Sequence, residues 1–238
     1  MAEDCRQTTE FLLLYYITDR SQFPGDEAAR RRRLIQNIVE AVHCGVDYIQ
    51  LREKDLTARE LEILARDVTF AIHKLRTENK ELKTGFLINS RTDVAMACDA
   101  DGVHLRSNDI SPAEVRKSWS HGCAGRPSTG SGQAGAHETV VVSCHTPGEV
   151  DDAAAQGADF VVFGPVFEKK AVTNTRAAGL EALRRACRTK IPVVALGGIT
   201  VENAVSCIQA GAAGVAGIRL FQENEMREVV SKLRSVGR

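Results

Sequence analysis

Short, uniformly apolar runs alternate with segments of helical periodicity along the whole chain. The runs are rich in Val, Ile, Leu and Tyr and lack the in-and-out alternation of a half-exposed antiparallel strand, so they read as strands covered on both faces. Eight strands are predicted, at residues 12–18, 47–52, 85–89, 102–105, 140–143, 160–164, 192–196 and 214–218. Helices are predicted at 27–43, 57–77, 91–98, 112–119, 147–156, 180–188, 201–210 and 224–233. Thr57 with Glu60 has the spacing of a capping box, and Ser111-Pro112 followed by Glu114 marks another helix start.

A recurring joint supports this count. His43-Cys44-Gly45-Val46-Asp47-Tyr48, Cys98-Asp99-Ala100-Asp101-Gly102-Val103, Gln156-Gly157-Ala158-Asp159-Phe160 and Gln209-Ala210-Gly211-Ala212-Ala213-Gly214-Val215 each run from a helix end through a small turn into a strand. Eight β/α units in 238 residues predict one α/β domain, a single (β/α)8 TIM barrel, with its chemistry at the C-terminal ends of the strands. Residues 1–11 form an N-terminal tail. The Gly/Ser-rich stretch 121–137 reads as a flexible, dispensable loop on the side away from chemistry. The basic run at 30–33 reads as a solvated helix face.

Composition narrows the function classes. Lys plus Arg is 31 and Asp plus Glu is 31, a balance that gives no reason to expect nucleic acid or a membrane surface and favours small-molecule partners. No apolar run approaches a membrane span, and Glu3, Asp4 and Arg6 do not suit a secretory signal, so a cytoplasmic location is expected. Seven cysteines without a C-x-x-C pair suggest reduced core residues rather than disulfides or zinc. Homo-oligomerisation is left open.

The strand ends collect the polar groups: Thr18-Asp19-Arg20; Gln50, Arg52 and Lys54; Asn89-Ser90-Arg91; His104 with Asn108-Asp109; Ser143-Cys144-His145-Thr146; Gly164-Pro165; Gly197-Gly198; and Ile218-Arg219. On an extended backbone Gln50, Arg52 and Lys54 share one side and Glu53 takes the other. This reads either as an anion site or as the solvated start of a loop. Gly197-Gly198 before a helix start suits a phosphate, whose oxygens meet backbone N–H groups there. The polar, basic loop 167–179, which includes Lys170, has the length of a lid over an anionic ligand.

These motifs resemble the family of thiamine phosphate synthase and the TenI-type thiazole tautomerase. The resemblance runs from Tyr16-Ile17-Thr18-Asp19-Arg20 to Gly214-Val215-Ala216, through I-Q-L-R-E-K-D at 49–55, L-I-N-S-R-T-D-V-A at 87–95, A-D-G-V-H-L at 100–105 and S-C-H-T at 143–146. It continues through G-A-D-F-V-V-F-G-P-V-F at 157–167 and V-A-L-G-G-I-T-x-E-N at 194–203. It implies an enzyme of thiamine biosynthesis that joins hydroxymethylpyrimidine diphosphate to thiazole phosphate with release of pyrophosphate, assisted by Mg2+.

By the same resemblance, Gln50, Arg52, Lys54 and Asn89 contact the pyrimidine diphosphate, Asp109 ligates Mg2+ and Ser143 faces the pyrophosphate. Gly197, Gly198, Ile218 and Arg219 hold the thiazole phosphate, and Lys170 belongs to the substrate loop. Three departures stand out. The family's Asn-Asp pair is Asn89-Ser90 here, its Thr-x-Thr-Lys run is replaced by Glu168-Lys169-Lys170-Ala171, and a Ser near the eighth strand end is Arg219. Two alternatives stay open: a metal-independent tautomerase using His145 as acid and base, and a non-catalytic barrel that binds phosphorylated ligands.

Overall fold

The computed structural model describes residues 12–122, 138–168 and 177–236. Eight parallel strands close into a barrel in chain order, β1 (Leu13–Ile17), β2 (Tyr48–Leu51), β3 (Gly85–Asn89), β4 (Gly102–Leu105), β5 (Thr139–Cys144), β6 (Phe160–Phe163), β7 (Val193–Leu196) and β8 (Gly214–Gly217). The surrounding helices are α1 (Glu27–His43), α2 (Ala58–Glu78), α3 (Thr92–Ala97), α4 (Pro112–Gly122), α5 (Pro147–Ala155), α6 (Gly179–Ala186), α7 (Val201–Gln209), α8 (Arg219–Gln222) and α9 (Met226–Val236). All eight predicted strands are present; β3 and β4 keep their predicted bounds, and the other six shift by one residue at one or both ends.

The barrel interior is a packed core. Tyr15, Ile17, Leu87, Val141, Phe160, Val162, Val194 and Ala216 fill it, and a larger apolar layer lies between the sheet and the helices. Each fully buried aliphatic or aromatic side chain contributes about 1.5–3 kcal/mol. The five described cysteines are free thiols. The predicted capping box of α2 forms between Thr57 and Glu60. Among the described residues no helix is long and apolar enough to cross a membrane.

The repeated joint has a physical purpose at the N-terminal rim. Asp47, Asp101 and Asp159 each accept the backbone N–H at the start of the preceding strand, from Leu14, Phe86 and Val140, at 2.6, 2.7 and 2.7 Å. Each carboxylate is clamped in turn by an arginine of the helix layer, Arg234, Arg76 and Arg116 respectively. A strand start that would otherwise hold an orphan donor is thereby satisfied. The fourth joint carries Ala213, whose own N–H bonds the Val193 carbonyl at 2.8 Å.

Two boundaries differ instructively from expectation. Helix α4 runs on to Gly122, inside the stretch read as a loop from residue 121. The turn after β8 forms the short helix α8, because Gln222 reaches Asp19 with both side-chain atoms, accepting from its N–H at 2.8 Å and donating to its carbonyl at 2.9 Å. The tail 1–11, the rest of the predicted loop up to 137, and Lys170 with most of the predicted lid lie outside the described residues.

Candidate active site at the strand ends

The C-terminal ends of β2 and β3 build one wall from side chains bonded head to tail. Gln50, only 2% exposed, donates through Nε2 to Asn89 Oδ1 at 2.8 Å, and Asn89 Nδ2 donates to Ser90 Oγ at 3.2 Å. The Ser90 hydroxyl lies near enough to the Asp109 carboxylate to help hold its pKa down. Ser90 sits at φ +58°, a left-handed conformation that costs an L-residue about 1–2 kcal/mol, with its N–H on the His104 carbonyl at 2.8 Å. One atom of the run is left over: Gln50 Oε1 is buried with no partner among the described residues.

Arg52 continues the inner side of β2 past its last residue. It is half-buried, and burial pulls its pKa below the ordinary arginine value, so a guanidinium there gains from an anion. Lys54, expected on the same face, lies beyond the strand and is exposed. Glu53 does take the other side, as the alternation predicted. It is buried and accepts from Thr18 Oγ1 at 2.6 Å, from the Arg20 N–H at 3.0 Å and from the Arg20 guanidinium at 3.1 Å.

Arg20 is one of the polar groups collected at the strand ends, but its ion pairs turn it away from a shared pocket. The residue is 4% exposed, and its guanidinium is consumed by Glu27, Glu53 and Asp55, with Asp55 held at 2.7 and 2.9 Å. This is a latch between the ends of β1 and β2 and the start of α1. Sequence reasoning missed it because the partners are 7, 33 and 35 residues away.

In the middle of the barrel, His104 joins two hydroxyls. Its Nδ1 lies 2.6 Å from Tyr15 Oη and its Nε2 lies 2.7 Å from Ser143 Oγ. Burial, with the nearby Arg52 charge, pushes the His104 pKa down to about 3, so the imidazole is neutral at ordinary pH. Tyr15, read from sequence only as a strand residue, was not anticipated here. An apolar strand carrying two adjacent tyrosines offers no signal that the hydroxyl of one of them meets a histidine 89 residues away.

Just past the end of β5, His145 is exposed, with Nδ1 2.5 Å from the Gly164 carbonyl. A carbonyl only accepts, so Nδ1 carries a proton.

The opposite wall is the β7–α7 turn. Gly197 at φ +100° and Gly198 at φ +64° form a tight turn before α7, whose Thr200 cap bonds Asn203 reciprocally. A Cβ on Gly197 would lie 2.5 Å from Pro165 Cβ, and one on Gly198 would lie 2.8 Å from Phe167 Cβ, so both positions require glycine on steric grounds as well. Ile218 and Arg219 follow the neighbouring strand β8, with Arg219 exposed.

Asp109 is heavily engaged. Its Oδ2 accepts the Arg106 N–H at 2.8 Å, and its Oδ1 accepts Arg106 Nε and Nη2 at 3.1 and 2.9 Å. Burial acts against the charge, but the Arg106 bonds and the Ser90 hydroxyl outweigh it and hold the carboxyl below its ordinary pKa. A pocket of about 120 Å3 lies between the starts of α4 and α5, in the helix layer rather than over the barrel axis. Asp109, Glu149 and Asp152 line it, so it is an unfavourable place for a diphosphate.

The family described as "Thiamine monophosphate synthase" matches residues 14–125 and 128–221. A thiamine-phosphate synthase of Syntrophomonas wolfei is 34% identical over 226 residues, covering 94% of this chain and 95% of that protein. One from Pyrococcus furiosus is 32% identical, covering 94% of both. The solved structure of a thiamine phosphate pyrophosphorylase from Pyrococcus furiosus superposes with a TM-score of 0.72 at 28% identity, covering 97% of this chain and 96% of that one.

Proposed function

The chain belongs to the thiamine monophosphate synthase family, and from that premise we propose that it joins hydroxymethylpyrimidine diphosphate to thiazole phosphate, forming thiamine phosphate and pyrophosphate. The observation that carries the substrate assignment is Gln50 Oε1. Its amide is oriented by Asn89, so a buried acceptor waits for a donor at the barrel mouth, and the exocyclic amine of an aminopyrimidine supplies one.

In this reading the bond between the pyrimidine methylene carbon and the diphosphate oxygen breaks, and the electron pair leaves with pyrophosphate. The thiazole ring nitrogen then donates its pair to the carbon. Arg52 and Lys54 lie on the wall where leaving-group charge develops, and Lys170 belongs to the segment that follows β6. The Ser143 hydroxyl faces the same anion. Gly197, Gly198 and the turn at Ile218 and Arg219 hold the thiazole phosphate at the start of α7.

The resemblance also implies Mg2+, and the donors present do not suit a protein-held ion. Ser90 supplies no charge, and both Asp109 oxygens already accept hydrogen bonds from Arg106. In this reading, neutralisation of the diphosphate falls to Arg52 and Lys54 among the described residues.

A second reading rests on His145. With Nδ1–H fixed by the Gly164 carbonyl, its exposed Nε2 can take and return a proton, as a thiazole tautomerase requires. One preparation tests both. Supplied with the pyrimidine diphosphate and the thiazole phosphate, the protein is expected to form thiamine phosphate at a rate proportional to enzyme. No product at high enzyme concentration, together with aromatisation of the thiazole carboxylate phosphate that disappears in His145→Ala, would transfer the assignment to the tautomerase. Ligand binding without either turnover would mark a non-catalytic barrel.

A further inference from the structure

The three groups Tyr15, His104 and Ser143 span the barrel core from β1 through β4 to β5. Their proton order follows from counting donors and acceptors. A neutral imidazole has one N–H and one lone pair, so one hydroxyl must donate to it and the other must accept from it. If Ser143 donated to Nε2, then Nδ1–H would donate to Tyr15, and the Tyr15 proton would need a second acceptor. Tyr15 is fully buried, and its hydroxyl's partner among the described residues is His104. A buried O–H stranded in this way has lost its bond to water and gained none in return, which disfavours that order.

We infer that Tyr15 and His104 are positioning residues: Tyr15 donates to Nδ1, Nε2–H donates to Ser143 Oγ, and the Ser143 hydroxyl is left to donate outward, to a phosphate oxygen at the barrel mouth. Ser143 is half-buried at the end of β5, where its proton can leave the core, whereas Tyr15 has no such exit. A serine free to rotate presents lone pairs to an anion as readily as a proton. The relay removes that option, so the hydroxyl meets the leaving group already oriented. The suppressed basicity of His104 fits this role, because a protonated ring would donate from both nitrogens and strand the Tyr15 proton.

The inference rests on Ser143 facing the diphosphate, and the test separates the two claims. Nitrogen-15 NMR of the labelled full chain reads the His104 tautomer directly, and the expected result is Nε2–H from pH 5 to 8. An Nδ1–H or doubly protonated ring would overturn the relay whatever the enzyme binds.

Inorganic pyrophosphate binding is then measured by calorimetry for wild type, Ser143→Ala, Tyr15→Phe and the double variant. Ser143→Ala is expected to weaken binding about tenfold and Tyr15→Phe about three- to tenfold, but Tyr15→Phe in the Ser143→Ala background changes it less than about twofold. An equal loss in both backgrounds would make Tyr15 merely structural, and no loss in either would overturn its positioning role. Unchanged binding by Ser143→Ala alone would refute the phosphate contact while leaving the tautomer to decide the bond order. Should Tyr15→Phe fail to fold, the wild-type tautomer still decides.

Discussion

Arg106 grips Asp109 through its backbone N–H and its guanidinium at once, at 2.8, 3.1 and 2.9 Å. The carboxylate that the family resemblance assigns to a metal is thus bound to a cation of its own chain. A cation already seated leaves little for Mg2+ to gain there, because the ion would have to displace a charge-assisted pair and find its remaining ligands elsewhere. Pyrophosphate affinity of the wild-type protein is expected to differ less than about threefold between excess Mg2+ and EDTA. The double variant Ser90→Asp with Arg106→Ala, which supplies two unpaired carboxylates, is expected to acquire a Mg2+ requirement. Calorimetry with and without the ion checks both.

The buried imidazole of His104 makes stability depend on pH. The unfolded chain protonates it near the ordinary value of 6.5, while the native state resists until about pH 3. Between those limits the unfolded state binds more protons, so stability is fully present above pH 6.5 and falls as pH drops through the window. The slope from this one group is at most about 1.4 kcal/mol per pH unit. Urea midpoints recorded at pH 7.5, 6 and 4.5 are expected to fall by that extra increment in wild type and not in His104→Gln.

Gly197 is the tighter of the two glycines in the turn between β7 and α7. Alanine there meets both an unfavourable φ of +100° and a Pro165 Cβ at 2.5 Å. Gly197→Ala is expected to destabilise the fold by roughly 2–3 kcal/mol and to raise the KM for thiazole phosphate more than that for the pyrimidine diphosphate. Steady-state kinetics with each substrate varied in turn distinguishes this from a uniform loss.

The aspartate clamps predict a purely structural loss far from the chemistry. Asp159→Ala would leave the Val140 N–H without its side-chain acceptor and Arg116 without its ion-pair partner, at a cost of about 2–3 kcal/mol. Asp159→Asn keeps an acceptor and is expected to lose about half as much. Denaturant unfolding gives the difference, and turnover of the folded fraction is expected to stay within about twofold of wild type.

Much of the barrel was legible because parallel strands covered on both faces must be uniformly apolar, and because each β/α unit repeats the same joint. The strands at Gly85–Asn89 and Gly102–Leu105 were predicted to the residue. The repeating aspartate was visible as part of a phrase, but its bond to the preceding strand start was not, since that contact exists only once the strands lie side by side. At the site, the alternation at Gln50, Arg52 and Glu53 correctly separated the mouth from the outer layer, whereas Lys54 fell beyond the strand that the alternation assumed.

What the sequence determined by itself is therefore local and periodic: the strand and helix rhythm, the glycine turn at 197 and 198, and which residue types crowd the strand ends. Only the tertiary structure decided which of those polar groups spend their hydrogen bonds on one another. Arg20 is used up by Glu53 and Asp55, Asp109 by Arg106, and Tyr15 by His104, while Gln50 Oε1 finds no partner among the described residues. The reason is geometric. A hydrogen bond is settled by distances of a few tenths of an ångström between side chains that closure of the barrel brings together from distant strands, and no spacing along the chain encodes that closeness.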